Sequence, residues 1–239
     1  METKWKAWVL VYSVLVVGVI GVGFLVAGGP TGIDRAVMDA VAGVRGDGVT
    51  SVVLILTALF SPALVPVWAV ALAVSMFAID RRVQRGVAVL GSVVVASAVA
   101  EVIKLIVARP RPPALDQING FEATLSYPSG HVTGTAALLV AVALVLTATA
   151  ARAARVGALF AALAVTVLIA CTRLYLGVHW LTDVSAGLVI GVGSAAMVVA
   201  LTPSVVAAVE ARVHGRIPPR AAQWLKAGSL SPLSKVGDE

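Results

Sequence analysis

Charge, cysteine and histidine are all scarce in this chain. Only 13% of its 239 residues are charged, Cys171 is the single cysteine, and the histidines number three: His131, His179 and His214. One cysteine excludes an internal disulfide and any cysteine-rich metal site, and three histidines leave little from which to assemble a zinc centre. No metal or cofactor is expected. Apolar residues make up 59% of the chain, and the mean hydropathy is +0.99. A soluble domain carries roughly a quarter charged residues, so this balance excludes that class. In a chain embedded in lipid, the net charge of +6 reports orientation rather than nucleic-acid binding. Membrane lipids are the expected partners, and nucleic acid is not. Nothing in the sequence speaks to oligomeric state.

The apolar stretches are long enough to cross a bilayer, which takes about 20 helical residues. The first covers residues 8–27. Val26-Ala27-Gly28 loosely resembles a signal-peptide cleavage site, but the apolar run is longer than a signal core, and a retained span is expected. Residues 33–48 interleave Asp34, Arg35, Asp39, Arg45 and Asp47 with apolar positions, the pattern of an amphipathic segment lying in the interface. Residues 49–60 read as a short helix leading inward. Further spans are expected at 62–79, 86–107, 130–148, 156–172 and 183–201, with residues 173–182 as the connection before the last. The expected fold is all-α: a bundle of six transmembrane helices with a short interfacial helix before the second. Residues 1–202 would form the membrane domain, and residues 203–239 a cytoplasmic basic tail, partly helical or disordered.

Six spans put both termini on one side, and that side collects twelve of the eighteen basic residues. By the positive-inside rule the termini are cytoplasmic. The other six are Arg35, Arg45, Lys104, Arg109, Arg111 and Arg173. Four of these crowd around the ends of the third and fifth spans, so something other than topology placed them there.

Three short segments hold most of the polar residues at span ends. Lys104 is followed after six residues by Arg111-Pro112, with Arg109-Pro110 as a near-copy of the Arg-Pro pair. Tyr127-Pro128-Ser129-Gly130-His131 opens the fourth span. Arg173 is followed by His179 and then Asp183. All three face one side of the membrane, the outer side, and so can converge on one pocket. Two arginines and a lysine make an anion site: the guanidinium fork matches phosphate oxygens and the ammonium acts as a point charge. Ser129-Gly130 opens a helix whose free N–H groups and dipole also favour an anion. His179 and Asp183 are spaced i, i+4, so the carboxylate can hold one ring nitrogen and present the other as a nucleophile. His131 can protonate a leaving oxygen and then activate water.

Taken singly, each of these residues also suits a purely structural role. Lys104 can snorkel from a helix end or pair with Glu101, and Arg109, Arg111 and Arg173 can be interfacial anchors. Either histidine alone can be a packing residue. Asp183 is harder to dismiss, because an acid entering a span is costly. Gly187 and Gly191 read as a close helix contact. Tyr127 and Trp180 fit an interfacial aromatic belt.

Together the three segments resemble the signature of the type 2 phosphatidic acid phosphatase (PAP2) superfamily. That signature is Lys-x6-Arg-Pro, Pro-Ser-Gly-His and Ser-Arg-x5-His-x3-Asp. Here the corresponding residues are Lys104 to Pro112, Pro128 to His131, and Thr172 to Asp183, with Thr172 in place of the usual serine. The resemblance implies His179 as nucleophile, His131 as general acid and Asp183 as the residue that orients His179. It also implies Lys104, Arg111, Ser129, Gly130 and Arg173 as phosphate-binding residues. The implied activity is metal-independent hydrolysis of a lipid phosphate or diphosphate through a phosphohistidine, at the extracytoplasmic face of the cell membrane. Isoprenoid diphosphate, phosphatidylglycerol phosphate and phosphatidate are the substrates it suggests. Two alternatives stay open: a phosphotransferase that passes the phosphoryl group to another lipid or sugar, and a transporter or channel whose polar residues line a pathway.

Overall fold

The computed structural model describes residues 2–81, 83–118, 122 and 124–216. Among these, eight α-helices and one 3₁₀ turn follow one another, and there is no strand. They are α1 (Glu2–Val26), α2 (Gly32–Ala42), α3 (Asp47–Leu59), α4 (Leu64–Asp80), α5 (Val83–Val107), α6 (Gly130–Leu146), α7 (Arg152–Tyr175) and α8 (Leu181–Arg216), with the 3₁₀ turn at Ala114–Asp116. The chain divides into two compact units, Met1–Thr202 and Pro203–Glu239. All the residues singled out for chemistry lie in the first.

The all-helical class agrees with the sequence, but the span count is less regular than six. Among the described residues, four stretches are long and apolar enough to cross a membrane: Trp5–Val26, Val83–Val107, Arg152–Tyr175 and Leu181–Arg212. The pair α3 and α4 qualifies together but bends by 54° at its break, and α6 has only 17 residues. Seventeen helical residues reach about 26 Å, short of a hydrocarbon core of about 30 Å.

Local differences from the sequence reading have physical causes. The interfacial segment expected at 33–48 is helical only as α2, which ends at its cap Gly43, and the short helix expected at 49–60 is α3, which starts two residues earlier behind Gly46. The polar residues of α2 do not all face outward: Asp34 is 1% exposed. Residues 173–182 are not all connection, since α7 continues through Arg173 to Tyr175 and brings Arg173 inside the protein. Helix α8 runs past the expected end of the last span to Arg216. The remainder of the expected tail, residues 217–239, lies outside the described residues.

The main core sits among α4, α5 and α6, where Val65, Ala69, Val89, Ala96, Ala137 and Ala141 are all buried. Lipid tails are as apolar as these side chains, so close backbone approach and van der Waals packing hold membrane helices together. Small residues make that approach possible. A second cluster joins α1, α5 and α8 through Val19, Ile103 and Ile190, with Tyr127 from the loop before α6.

The contact that positions the site is between α8 and the start of α6. A Cβ added at Gly187 would lie 2.8 Å from the Ser129 carbonyl oxygen, and one at Gly191 would lie 2.5 Å from that of Thr133. These distances are shorter than any relaxed contact, so both positions require glycine, as the sequence spacing predicts. Replacing Gly191 with Ala must therefore push α8 away from α6. The expected loss is about 1–3 kcal/mol of stability, read as a lower midpoint of thermal unfolding in detergent; an unchanged midpoint would refute this packing.

Candidate functional site

Three breaks in the helices bring the polar segments together. Helix α5 ends where Ala108 takes a left-handed conformation (φ 51°), and the prolines at 110 and 112 prevent the helix from resuming. The chain thus turns back with Arg109 and Arg111 on the short segment that follows. Ser129 caps the start of α6 with extended backbone, and its N–H donates to the Asp183 carbonyl at 3.1 Å. Gly177 (φ 68°) follows the end of α7 and directs Val178, His179 and Trp180 inward before α8 begins.

The deepest layer is a charge cluster around Arg109, which is fully buried. Its Nη1 donates to Asp183 Oδ1 at 2.5 Å and to Thr182 Oγ1 at 2.6 Å, and its Nη2 donates to Asp34 Oδ2 at 2.9 Å. Arg109 is therefore committed to structure. Of the two Arg-Pro pairs, it is Arg111 whose guanidinium reaches His179.

Above that layer lies His179, buried in the turn between α7 and α8. Arg111 Nη1 is 3.1 Å from His179 Nε2. A guanidinium only donates, so Nε2 carries the lone pair and the ring proton belongs on Nδ1. The Nδ1 atom is 3.3 Å from Ser126 Oγ and 3.5 Å from Asp183 Oδ2. Ser126 Oγ in turn donates to Asp183 Oδ2 at 2.5 Å. The direct contact expected between His179 and Asp183 is thus at the long limit for a hydrogen bond, with the Ser126 hydroxyl bridging the two. Trp180 N–H donates to the same carboxylate oxygen at 2.8 Å. Burial pushes the His179 imidazole down to about 4, with the Arg111 and Arg173 charges adding to the shift and Asp183 opposing it.

The remaining expected residues surround this ring. Arg173, in the last turn of α7, donates through Nη1 to Thr57 Oγ1 on α3 at 2.8 Å, and its Nε is buried without a partner. Ser129 Oγ is also buried without a partner. Buried polar groups are nearly always satisfied, so these two atoms mark places where a ligand oxygen or proton would fit. Lys104 pairs with Glu101 at 2.7 Å, and its Nζ lies 3.8 Å from where a Cβ on Gly130 would sit. The ammonium thus stands beside the N-terminus of α6. His131 is half-buried in the first turn of α6, near enough for Arg173, His179, Arg111 and Lys104 to act on it electrostatically.

Glu122 was not anticipated from the sequence. Its carboxylate takes Arg111 Nη1 at 2.9 Å and Arg173 Nη2 at 2.5 Å, with its side chain 38% exposed. Burial alone would raise this carboxyl, but Arg173 and Arg111 outweigh it and hold it below its ordinary value. A carboxylate is thus held between two guanidinium forks, a geometry suited to oxyanions. Ser126 and Asp34 were also missed. Ser126 immediately precedes the Tyr127-Pro128-Ser129 segment, and Asp34 is an acid in an apolar stretch, so each carried a weak signal; Glu122, in a polar loop, carried none.

A family model described as the PAP2 superfamily matches residues 85–206, which include all three motif segments. The chain belongs to the PAP2 superfamily. Among solved structures, it is similar to a transmembrane PAP2-type phosphatidylglycerolphosphate phosphatase from Bacillus subtilis. That match has a TM-score of 0.67 and 22% identity, covering 84% of this chain and 96% of the other. It is also similar to LpxE from Aquifex aeolicus, with a TM-score of 0.55 and 18% identity over 70% of this chain and 94% of that one. These likenesses establish a shared PAP2 fold. A search of curated protein sequences returned no match.

The arrangement offers a lone pair at His179 Nε2 inside a ring of cations already holding one carboxylate. An oxyanion binding between Arg111 and Arg173 would have to displace Glu122. Glu122→Gln is expected to tighten competitive binding of orthovanadate by about two- to fivefold, the scale of a partly exposed ion pair. Inhibition constants measured in detergent test this, and weaker binding in the variant would refute it.

Proposed function

We propose that this PAP2-superfamily enzyme hydrolyses a lipid phosphate or lipid diphosphate. The observation that carries the reading is the accepting Nε2 of His179 facing the Arg111 guanidinium, because it combines a nucleophilic lone pair with a phosphate-binding fork. The His179 Nε2 attacks phosphorus while the bond from phosphorus to the leaving oxygen breaks. Arg111, Arg173 and Lys104 offset the charge on the equatorial oxygens, together with Ser129 and the N–H groups that open α6. The Nδ1 proton stays within reach of Ser126 and Asp183, which stabilise the ring as it gains positive charge.

His131 gives its proton to the leaving oxygen. A water molecule then attacks the phosphohistidine, passes a proton to His131 and releases inorganic phosphate with His179 restored. The charge on the phosphoryl group is met throughout by Lys and Arg, so no step calls for a metal.

The lipid nature of the substrate is supported by the membrane-crossing helices and by a structurally similar protein named as a phosphatidylglycerolphosphate phosphatase. In this reading α3 and α4 form one bent span and α6 the shortest of six, and α2 lies in the interface. The termini are cytoplasmic, as the distribution of basic residues favours, and the site opens on the extracytoplasmic face of the cell membrane. The headgroup enters there while its chain stays in lipid.

The decisive experiment is phosphate release in detergent with EDTA present, from phosphatidate, phosphatidylglycerol phosphate and an isoprenoid diphosphate in parallel. Release from at least one is expected, together with a loss of about a thousandfold or more in His179→Ala. Phosphate appearing on an added lipid or sugar acceptor in place of solution would establish transfer, and activity surviving His179→Ala would remove the mechanism. The pH dependence is equally specific. The nucleophile is the neutral imidazole, and burial holds His179 at about 4. Activity should therefore persist as pH falls, with the acidic limb of kcat/KM for the free enzyme near that value. A limb at the ordinary imidazole value would contradict it.

A further inference from the structure

The motif residues account for the reacting centre, but not for the buried charge beneath it. We infer that Asp34 on α2 is a positioning residue for the His179–Asp183 pair, acting through the Arg109 guanidinium; this rests on the functional reading above. Asp34 lies outside residues 85–206, the part matched by the family model.

The two oxygens of Asp183 have divided duties. Arg109 takes Oδ1, leaving Oδ2 for Ser126, Trp180 N–H and His179. The same guanidinium also holds Asp34, so one fork joins the two carboxylates with no exposed side chain among the three residues. Asp34 reaches Asp183 by a second route as well: Oδ1 accepts from the Thr182 backbone N–H at 2.9 Å, one residue before Asp183.

Asp34 is itself fixed. Its carboxylate closes a capping box with Thr31 at the start of α2, accepting from the Thr31 N–H at 2.9 Å while its own N–H donates to Thr31 Oγ1 at 3.2 Å. Burial alone would raise the carboxyl, but the Thr182 and Thr31 N–H groups and Arg109 outweigh it, so it stays charged. Arg109 Nε has no partner, so the placement of this guanidinium depends on what its two terminal nitrogens hold.

Asp34→Asn keeps the shape but replaces a carboxylate oxygen with a group that Arg109 cannot donate to, or weakens the acceptor that remains. Arg109 would then be neutralised by Asp183 alone, drawing that carboxylate away from His179. The other charged groups around His179 are Arg111 and Glu122 from the loop after α5, Arg173 from α7 and His131 from α6; none is changed by the substitution. The local charge becomes one unit more positive, and His179 is harder to protonate.

The test compares full-length wild type with Asp34→Asn and Thr182→Val in detergent, with kcat expressed per folded molecule. Asp34→Asn is expected to lower kcat by about tenfold to a hundredfold, the scale of a small misplacement in an active site. KM and the orthovanadate inhibition constant should stay within about twofold, because the anion-binding arginines are untouched. The acidic limb of the pH profile should move to lower pH. Thr182→Val removes only the hydroxyl shared by Arg109 and Asp34, and is expected to give a smaller loss in kcat alone; it serves as the test if Asp34→Asn does not fold. Unchanged kcat per folded molecule in the variant that folds, with only a lower unfolding midpoint, overturns the inference and makes the cluster a structural tie. So does a loss shared equally by KM or orthovanadate binding. Wild type that releases phosphate from no lipid overturns both this inference and the functional reading, and is recognised before any variant is compared.

Discussion

A guanidinium enclosed by protein has to be met by carboxylates, and Arg109 is met by two. Removing charges from water is costly, and only close pairing with further hydrogen bonds offsets that cost. Here the pairing draws in the Gly29 carbonyl before α2, Asp34 within α2, and Thr182 and Asp183 at the start of α8. These groups come from segments about 75 to 150 residues apart in sequence. The turn that carries His179 thus rests on an assembled ionic floor, and the orientation of Asp183 is decided there before any substrate arrives.

The glycines of α8 set a second constraint. Gly187 and Gly191 let that helix lie directly against the backbone of Ser129 and Thr133. Ser129 N–H meets the Asp183 carbonyl across the same contact. The opening turn of α6 and the acid of α8 are therefore registered by backbone proximity, which holds more firmly than long side chains would.

Much of this was legible in the sequence because the chemistry fixes spacing along the chain. Six residues between Lys104 and Arg111, and four from His179 to Asp183, are local quantities. The helical class and most helix positions followed from apolar run length. What escaped was fixed by tertiary contact. Ser126 meets Asp183 across 57 residues, Glu122 meets Arg173 across 51 and Asp34 meets Thr182 across 148. No periodicity encodes such partners. The apolar run ends at residue 172 and leaves Arg173 in the expected connection; in the structure Thr57 and Glu122 pair with its terminal nitrogens, and α7 continues past it. The bend between α3 and α4 and the shortness of α6 are likewise products of packing, and run length does not show them.

On the proposed reaction, the resident carboxylate of Glu122 bears on turnover. Cations arranged to bind a phosphoryl group bind free phosphate as well, and an enzyme that holds its product stalls. Glu122 is attached to the same chain, so its local concentration stays high however dilute the medium. A phosphate departing from between Arg111 and Arg173 would leave two guanidinium groups with a replacement anion at hand. The emptied site would then need no counter-ion from solution, and parting with product would cost less because of a group the protein never releases.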